Sequence, residues 1–155
     1  EFDLSDEPQR WGTGVEDEPP SLTAPGQTPK VLHDLTSGAA VRASSRAVGE
    51  ASGVIDDDAS TPGVLIDAGE WVEISLPAEA TPEFLTLTLA SPGQHRFRVE
   101  CLVDGGWEAA LSADATFRWA WQLRPFGLSG QRSRTWRVLA QSPLEIRQLE
   151  LLVAR

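Results

Sequence analysis

The chain has 155 residues, 41% hydrophobic and 23% charged, and a formal net charge of −10 from 23 acidic and 13 basic side chains. That length suits one domain with its own core, burying about 70% of the surface that the unfolded chain exposes. No apolar run approaches the ~18 residues of a membrane-spanning helix, a single cysteine excludes a disulfide framework or multi-cysteine zinc site, and the acidic balance works against nucleic acid, which needs a cationic footprint.

Residues 1–32 read as an extended acidic, Pro-rich arm or linker, separate from a folded domain over 33–155. The first 30 residues hold seven acids against Arg10 and Lys30, together with Pro8, Pro19, Pro20, Pro25 and Pro29. Such a composition stays extended and buries little, although Trp11 could pin part of it to the domain. The positively charged start and apolar stretch of a signal peptide are missing. With its abrupt opening on Glu1-Phe2, the sequence reads as a fragment of a longer protein or a processed mature chain.

From residue 31 onward, short alternating segments are separated by turn residues. Strands are expected near 41–44, 64–67, 71–76, 84–89, 96–103, 107–111, 117–123, 135–140 and 144–153. In the fifth of these, Phe97, Val99, Cys101 and Val103 fall on one face. Gly, Pro, Ser and Asp punctuate the breaks at Ser91-Pro92-Gly93, Asp104-Gly105-Gly106 and 125–130. Helical periodicity is nearly absent. Eight or nine short strands at this spacing predict an all-β antiparallel sandwich or jelly roll.

The order of motifs then becomes informative. Leu35-Thr36-Ser37-Gly38-Ala39-Ala40-Val41-Arg42-Ala43-Ser44-Ser45 resembles the opening of discoidin, or coagulation-factor C-type, domains. Ala51-Ser52-Gly53-Val54-Ile55-Asp56-Asp57-Asp58-Ala59-Ser60-Thr61 is similar to that family's Ala-x-x-Ala-Ile-Asp-Gly-Asp-x-x-Thr segment. Trp71 to Leu76, then Phe97-Arg98-Val99 leading to Asp104-Gly105-Gly106-Trp107, follow in the family's order. Arg134-Thr135-Trp136-Arg137-Val138 and Ile146-Arg147-Gln148-Leu149-Glu150-Leu151 resemble its closing strands. Six pieces in order over 35–153 imply the galactose-binding-like jelly roll shared with bacterial carbohydrate-binding modules, with the first and last strands close together. The same resemblance puts Trp71, Trp107 and Trp136 in the core.

The turn at 56–61 has chemistry of its own. Asp56, Asp58 and Thr61 present oxygens at offsets 0, +2 and +5, and a hard cation such as calcium takes six to eight oxygens. The resemblance implies one structural calcium ion here, with carbonyls around Gly53 and an acid from the last strand. That acid falls on Gln148, an uncharged substitute, while Glu150 lies two residues on. Asp57 replaces the family's glycine, and Asp tolerates a left-handed turn better than most residues. The alternative is an acidic turn whose carboxylates cap backbone amides.

Ligand recognition in sugar-binding relatives relies on a Trp and often a His after this turn. The chain has Pro62-Gly63-Val64-Leu65-Ile66-Asp67 instead, so a compensating surface must lie elsewhere. Phe117, Trp119 and Trp121 are spaced by two and would share one strand face. That face is either core or an aromatic platform beside Arg124, Arg132 and Arg134. Aromatic faces stack on sugar C–H surfaces, and guanidinium groups hydrogen-bond hydroxyls or carboxylates. His95, after Pro92-Gly93, could add a polar contact or sit with Arg96 on a solvated hairpin tip.

No His adjoins a Ser or Cys as a nucleophile's base would, and Cys101 reads as a buried thiol. The expectation is a non-catalytic, glycan-directed binding module of a larger bacterial surface or periplasmic protein, hence extracytoplasmic. The alternative is a protein-interaction or structural accessory domain without sugar binding. Membrane lipid is disfavoured, because the negative charge opposes anionic headgroups and only Leu65-Ile66 and Phe126-Gly127-Leu128 could act as apolar spikes.

Overall fold

A computed structural model describes residues 31–58, Ser60 and 62–154. Residues 1–30 of the expected arm, Trp11 among them, and Thr61 therefore lie outside the described residues, whereas Leu32 at the end of that arm belongs to the first strand. A compact unit spans Leu32–Arg155.

Eleven strands follow in order: β1 (Leu32–Asp34), β2 (Ala40–Ala43), β3 (Val48–Gly49), β4 (Val64–Ile66), β5 (Trp71–Ala80), β6 (Phe84–Leu89), β7 (Gly93–Val103), β8 (Gly106–Phe117), β9 (Gln122–Gly127), β10 (Ser133–Ala140) and β11 (Leu144–Ala154). A single 3-10 turn at Ala51–Val54 is the helical element among the described residues. One sheet runs β3-β4-β11-β6-β9, with β1 also paired to β11, and the other runs β2-β5-β10-β7-β8. All these pairings are antiparallel. The result is the expected jelly-roll sandwich, and Leu32 lies opposite Ala154, so its first and last strands are neighbours.

Alternation explains the core. Val72, Ile74 and Leu76 of β5, Phe97, Val99 and Cys101 of β7, and Trp136 and Val138 of β10 point inward from one sheet. Leu85, Leu87 and Leu89 of β6 meet them from the other sheet with Leu149 and Leu151 of β11. Each such side chain contributes about 1.5–3 kcal/mol through burial. Trp136 is fully buried, and its indole N–H donates to the Ser133 carbonyl at 3.0 Å, which removes the penalty of an unmet donor.

Several expectations need correction. The strand expected over 117–123 does not exist as one piece: β8 ends at Phe117, a turn covers 118–121, and β9 begins at Gln122. Part of the 125–130 break is strand, since Pro125 to Gly127 belong to β9, an edge strand where a missing N–H costs no ladder bond. Trp71 and Trp107 are half-buried rather than core. Each is covered by a guanidinium, Arg42 at 5.3 Å from the Trp71 ring centroid and Arg137 at 4.0 Å from that of Trp107. His95 and Arg96 lie within β7, not on a hairpin tip.

Register sorts the loops to two ends. Leu89 pairs with Gln122, Ala140 with Phe97, Leu139 with Trp71 and Leu144 with Ile66. One end therefore gathers 44–47, 67–70, 90–92, 118–121 and 141–143. Phe84 pairs with Gly127, Val103 with Gly106 and Ser133 with Ala80, so 81–83, 104–105 and 128–132 gather at the other.

Candidate functional site

The first end carries the 118–121 turn. The turn reverses the chain between the edge strand of one sheet and the edge strand of the other. Phe117 keeps the inward alternation of β8 and is buried, but the period of two stops there. Trp119 is 59% and Trp121 44% exposed, a large amount for two neighbouring indoles. Trp121 has φ +64°, a left-handed conformation that is an outlier for a bulky side chain. Its backbone N–H donates to the Leu89 carbonyl at 2.8 Å, which holds the turn against β6. Gln122 closes it from the other side, its Oε1 accepting the Arg118 N–H.

Beside this turn lies Arg147, its guanidinium carbon 4.3 Å from the Trp121 ring centroid. The partnership was not expected from sequence. It arises because Ile146 pairs with Leu89 and Leu89 with Gln122, while the register of β11 shifts between Ile146 and Gln148 and re-aims the residue between them.

Below the turn, β8 and β9 flank a groove of about 590 Å³. Leu111, Ala113 and Phe126 line its apolar part, and Asp114, Thr116, Gln122 and Arg124 its polar part. The Arg124 guanidinium donates to the Thr116 carbonyl at 2.8 Å and sits 5.4 Å from the Phe126 centroid and 5.8 Å from that of Phe117. His95 packs edge-on against Phe117 at 5.7 Å, and its Nε2 lies 3.0 Å from the Ser91 carbonyl. With Nε2–H donating there, Nδ1 is a buried acceptor with no hydrogen-bond partner among the described residues.

Trp119, Trp121, Arg124 and His95 are thus brought to one end and the groove below it, and Arg147 joins them. Arg132 and Arg134 are not. Arg132 pairs with Glu79 at 3.3 Å, and Arg134 Nε donates to the Leu76 carbonyl at 2.8 Å, both at the opposite end. The six residues of β10 from Arg134 to Leu139 separate the two places by roughly 20 Å at ~3.3 Å per residue.

The acidic turn lies elsewhere, against Gln148 of β11. Asp57 has φ +61°, in the place of the family's glycine. Asp56 Oδ1 accepts the Asp58 N–H at 3.0 Å, and Asp58 Oδ1 accepts both the N–H and the hydroxyl of Ser60. Gln148 reaches into the turn: Nε2 lies 3.0 Å from Gly53 O, 2.7 Å from Asp56 Oδ1 and 3.2 Å from Asp58 O. Its Oε1 accepts the Asp57 N–H at 3.1 Å. Glu150 stays apart, accepting from the Thr86 hydroxyl at 2.8 Å.

Cys101 and Glu100 are committed to structure. Cys101 is fully buried, and burial pushes its thiol up, with Glu108 and then Glu100 adding to the shift. Glu100 is buried and pairs with Arg137 at 2.7 Å and Arg98 at 3.1 Å.

Comparison with solved structures identifies the architecture. The family 32 carbohydrate-binding module of Clostridium perfringens NanJ, solved with galactose, superposes with a TM-score of 0.66 at 11% identity, over 79% of this chain and all of that one. The fold is that of the family 32 modules. The corresponding module of AlyQ, solved with 4,5-unsaturated mannuronic acid, gives 0.62 at 16% identity, over 78% and 97% of the two chains. A truncated AlyQ containing both this module and an alginate lyase domain gives 0.65 at 17% identity, and there the match spans 81% of this chain but 34% of that one. No protein-family model and no curated protein matches the sequence.

Proposed function

We propose that the domain is a non-catalytic module that binds a glycan at the 118–121 turn. The observation that carries this reading is the pair of exposed indoles, one on strained backbone and flanked by Arg147. Holding a bulky residue at positive φ costs free energy, and such strain clusters at binding sites. An indole face stacks on the apolar C–H surface of a pyranose, and a guanidinium beside it can donate to a hydroxyl or carboxylate in fixed geometry. The groove below, with Arg124 and Asp114 over an apolar floor, extends the surface for further sugar units. Support also comes from the fold, shared with modules solved with galactose and with an unsaturated uronate. The non-catalytic part of the reading rests on the sealed thiol of Cys101 and the ion-paired Glu100.

In this reading the module belongs to a longer, extracytoplasmic bacterial protein, for which the AlyQ match offers a parallel in which the fold is one part of an enzyme chain. Affinity-gel retardation against a panel of neutral and acidic polysaccharides tests it. Wild type is slowed by at least one of them, and Trp119→Ala and Trp121→Ala each weaken binding by tenfold or more, which corresponds to about 1.4 kcal/mol. Equal retardation of all three proteins would overturn the proposed site.

A protein partner is the second reading. It is favoured by β8, which pairs with no strand but β7 among the described residues; its Ala109, Ala110 and Thr116 carbonyls already accept from Gln131, Ser129 and Arg124, so an added strand would pair along 111–115. Absence of retardation on every polysaccharide, with capture of an extended peptide along β8, would favour it.

A further inference from the structure

We infer that Gln148 does in this chain the work that the discoidin resemblance assigns to a calcium ion, so that the 53–58 turn closes without metal. Three oxygens converge on one point, the carbonyls of Gly53 and Asp58 and one carboxylate oxygen of Asp56. At that point sits the Gln148 amide nitrogen, 2.7–3.2 Å from each. Calcium would bind the same oxygens at 2.3–2.6 Å, so ion and nitrogen cannot share the place.

The orientation of the amide follows from its surroundings rather than from a choice between similar atoms. The Asp57 N–H points at Oε1, and exchanging O with N would set donor against donor there and oxygen against three oxygens. The NH₂ group thus turns its positive edge toward the oxygens, as a cation would, and the carbonyl on its other side engages the turn's backbone. A glutamate at 148 could complete an oxygen shell; a glutamine in this pose cannot.

The remaining groups fit the same reading. The Asp58 carboxylate turns toward Ser60, and Glu150 toward Thr86 on β6. Gln148 is buried, so its amide must be satisfied inside the protein. Since a side chain of β11 performs the closure, the turn is attached to the sheet as soon as the strand pairs, at any calcium concentration.

The test is thermal unfolding of wild type, Gln148→Glu and Gln148→Ala, each stripped of metal and measured with chelator or with millimolar calcium. Wild type melts at the same temperature in both. Gln148→Glu melts lower with chelator, because an acid replaces a donor among oxygens, and calcium restores several degrees by mass action. Gln148→Ala melts lower in both conditions. If Gln148→Glu does not fold with chelator, calcium titration into the unfolded chain, followed by circular dichroism, reads the same restoration. A calcium-induced rise of several degrees in wild type, lost in Asp56→Ala, would overturn the inference. So would a Gln148→Glu protein indifferent to calcium.

Discussion

Replacing Gly63 with alanine places a methyl group where the chain meets the β11 bulge. An added Cβ would lie 1.8 Å from the Ile146 carbonyl oxygen, 2.8 Å from its carbon and 3.1 Å from Arg147 Cα, all backbone atoms that cannot rotate aside. A tolerable C···O contact is ~3.3 Å, so the two segments must part by roughly 1.5 Å. An N–H···O bond stretched that far is no longer a bond. The β4–β11 ladder is only three residue pairs long, 64–66 against 144–146. Losing two bonds costs about 1 kcal/mol each. Partly exposing Val64 and Ile66, both fully buried, adds about 1–3 kcal/mol. The expected destabilisation is about 3–5 kcal/mol, a large share of the 5–15 kcal/mol typical of a domain. Urea unfolding measures it, with Gly127→Ala as control, because nothing lies within 4 Å of a Cβ there. The control should stay within about 0.5 kcal/mol of wild type. The same displacement moves Arg147 from beneath Trp121, so glycan affinity should also fall. A Gly63→Ala loss below about 1 kcal/mol would refute the argument.

Three further outcomes are expected. Arg137→Ala strands the buried Glu100 with Arg98 alone and uncovers Trp107; it should cost about 2–3 kcal/mol in urea unfolding and raise the solvent accessibility of Trp107 in acrylamide quenching. Asp57→Gly keeps the N–H that Gln148 accepts and relieves a left-handed Asp, so the urea midpoint should rise by the equivalent of about 0.5–1 kcal/mol; a fall would show that the Asp57 side chain contributes more than the strain costs. The Cys101 thiol has a raised pKa in the folded state, so the unfolded chain loses that proton first; stability should fall as pH rises above about 8.5, and less steeply in Cys101→Ala, whereas identical slopes would contradict the assignment.

Where a local pattern has one structural solution, the sequence and the fold agree. The alternation of Phe97, Val99 and Cys101 sends one apolar face inward, and those three side chains are fully buried; on the opposite face Glu100 is buried only under its ion pairs with Arg137 and Arg98. Asp104-Gly105 joins β7 to β8 with both residues at positive φ, 50° and 81°, as a two-residue hairpin requires. Phe84 to Leu89 form β6 at the expected ends, and there Thr86 and Thr88 are buried along with the leucines, so the strand is covered on both faces. The very short β1 and β3 escaped because two or three residues carry no period, and they are strands only through β11 and β4.

The candidate site was legible in its parts and not in its arrangement. Trp119 and Trp121 stand out by residue type, but a spacing of two describes a strand only while the strand lasts. The turn after Phe117 sends them to solvent because Trp121 N–H finds Leu89 on another strand. Arg132 and Arg134 are close to them in sequence and a strand's length away in space; Arg147 is far in sequence and in contact. Gln148 could be seen to stand where an acid was expected, yet its amide meets Gly53, Asp56 and Asp58 only once β11 has paired. Residue type and period, properties of neighbouring positions, determined the sandwich and its core. Partnerships spanning 26 residues from Trp121 to Arg147, or 95 from Gly53 to Gln148, depend on strand order and register, and those were decided only when the sheets assembled.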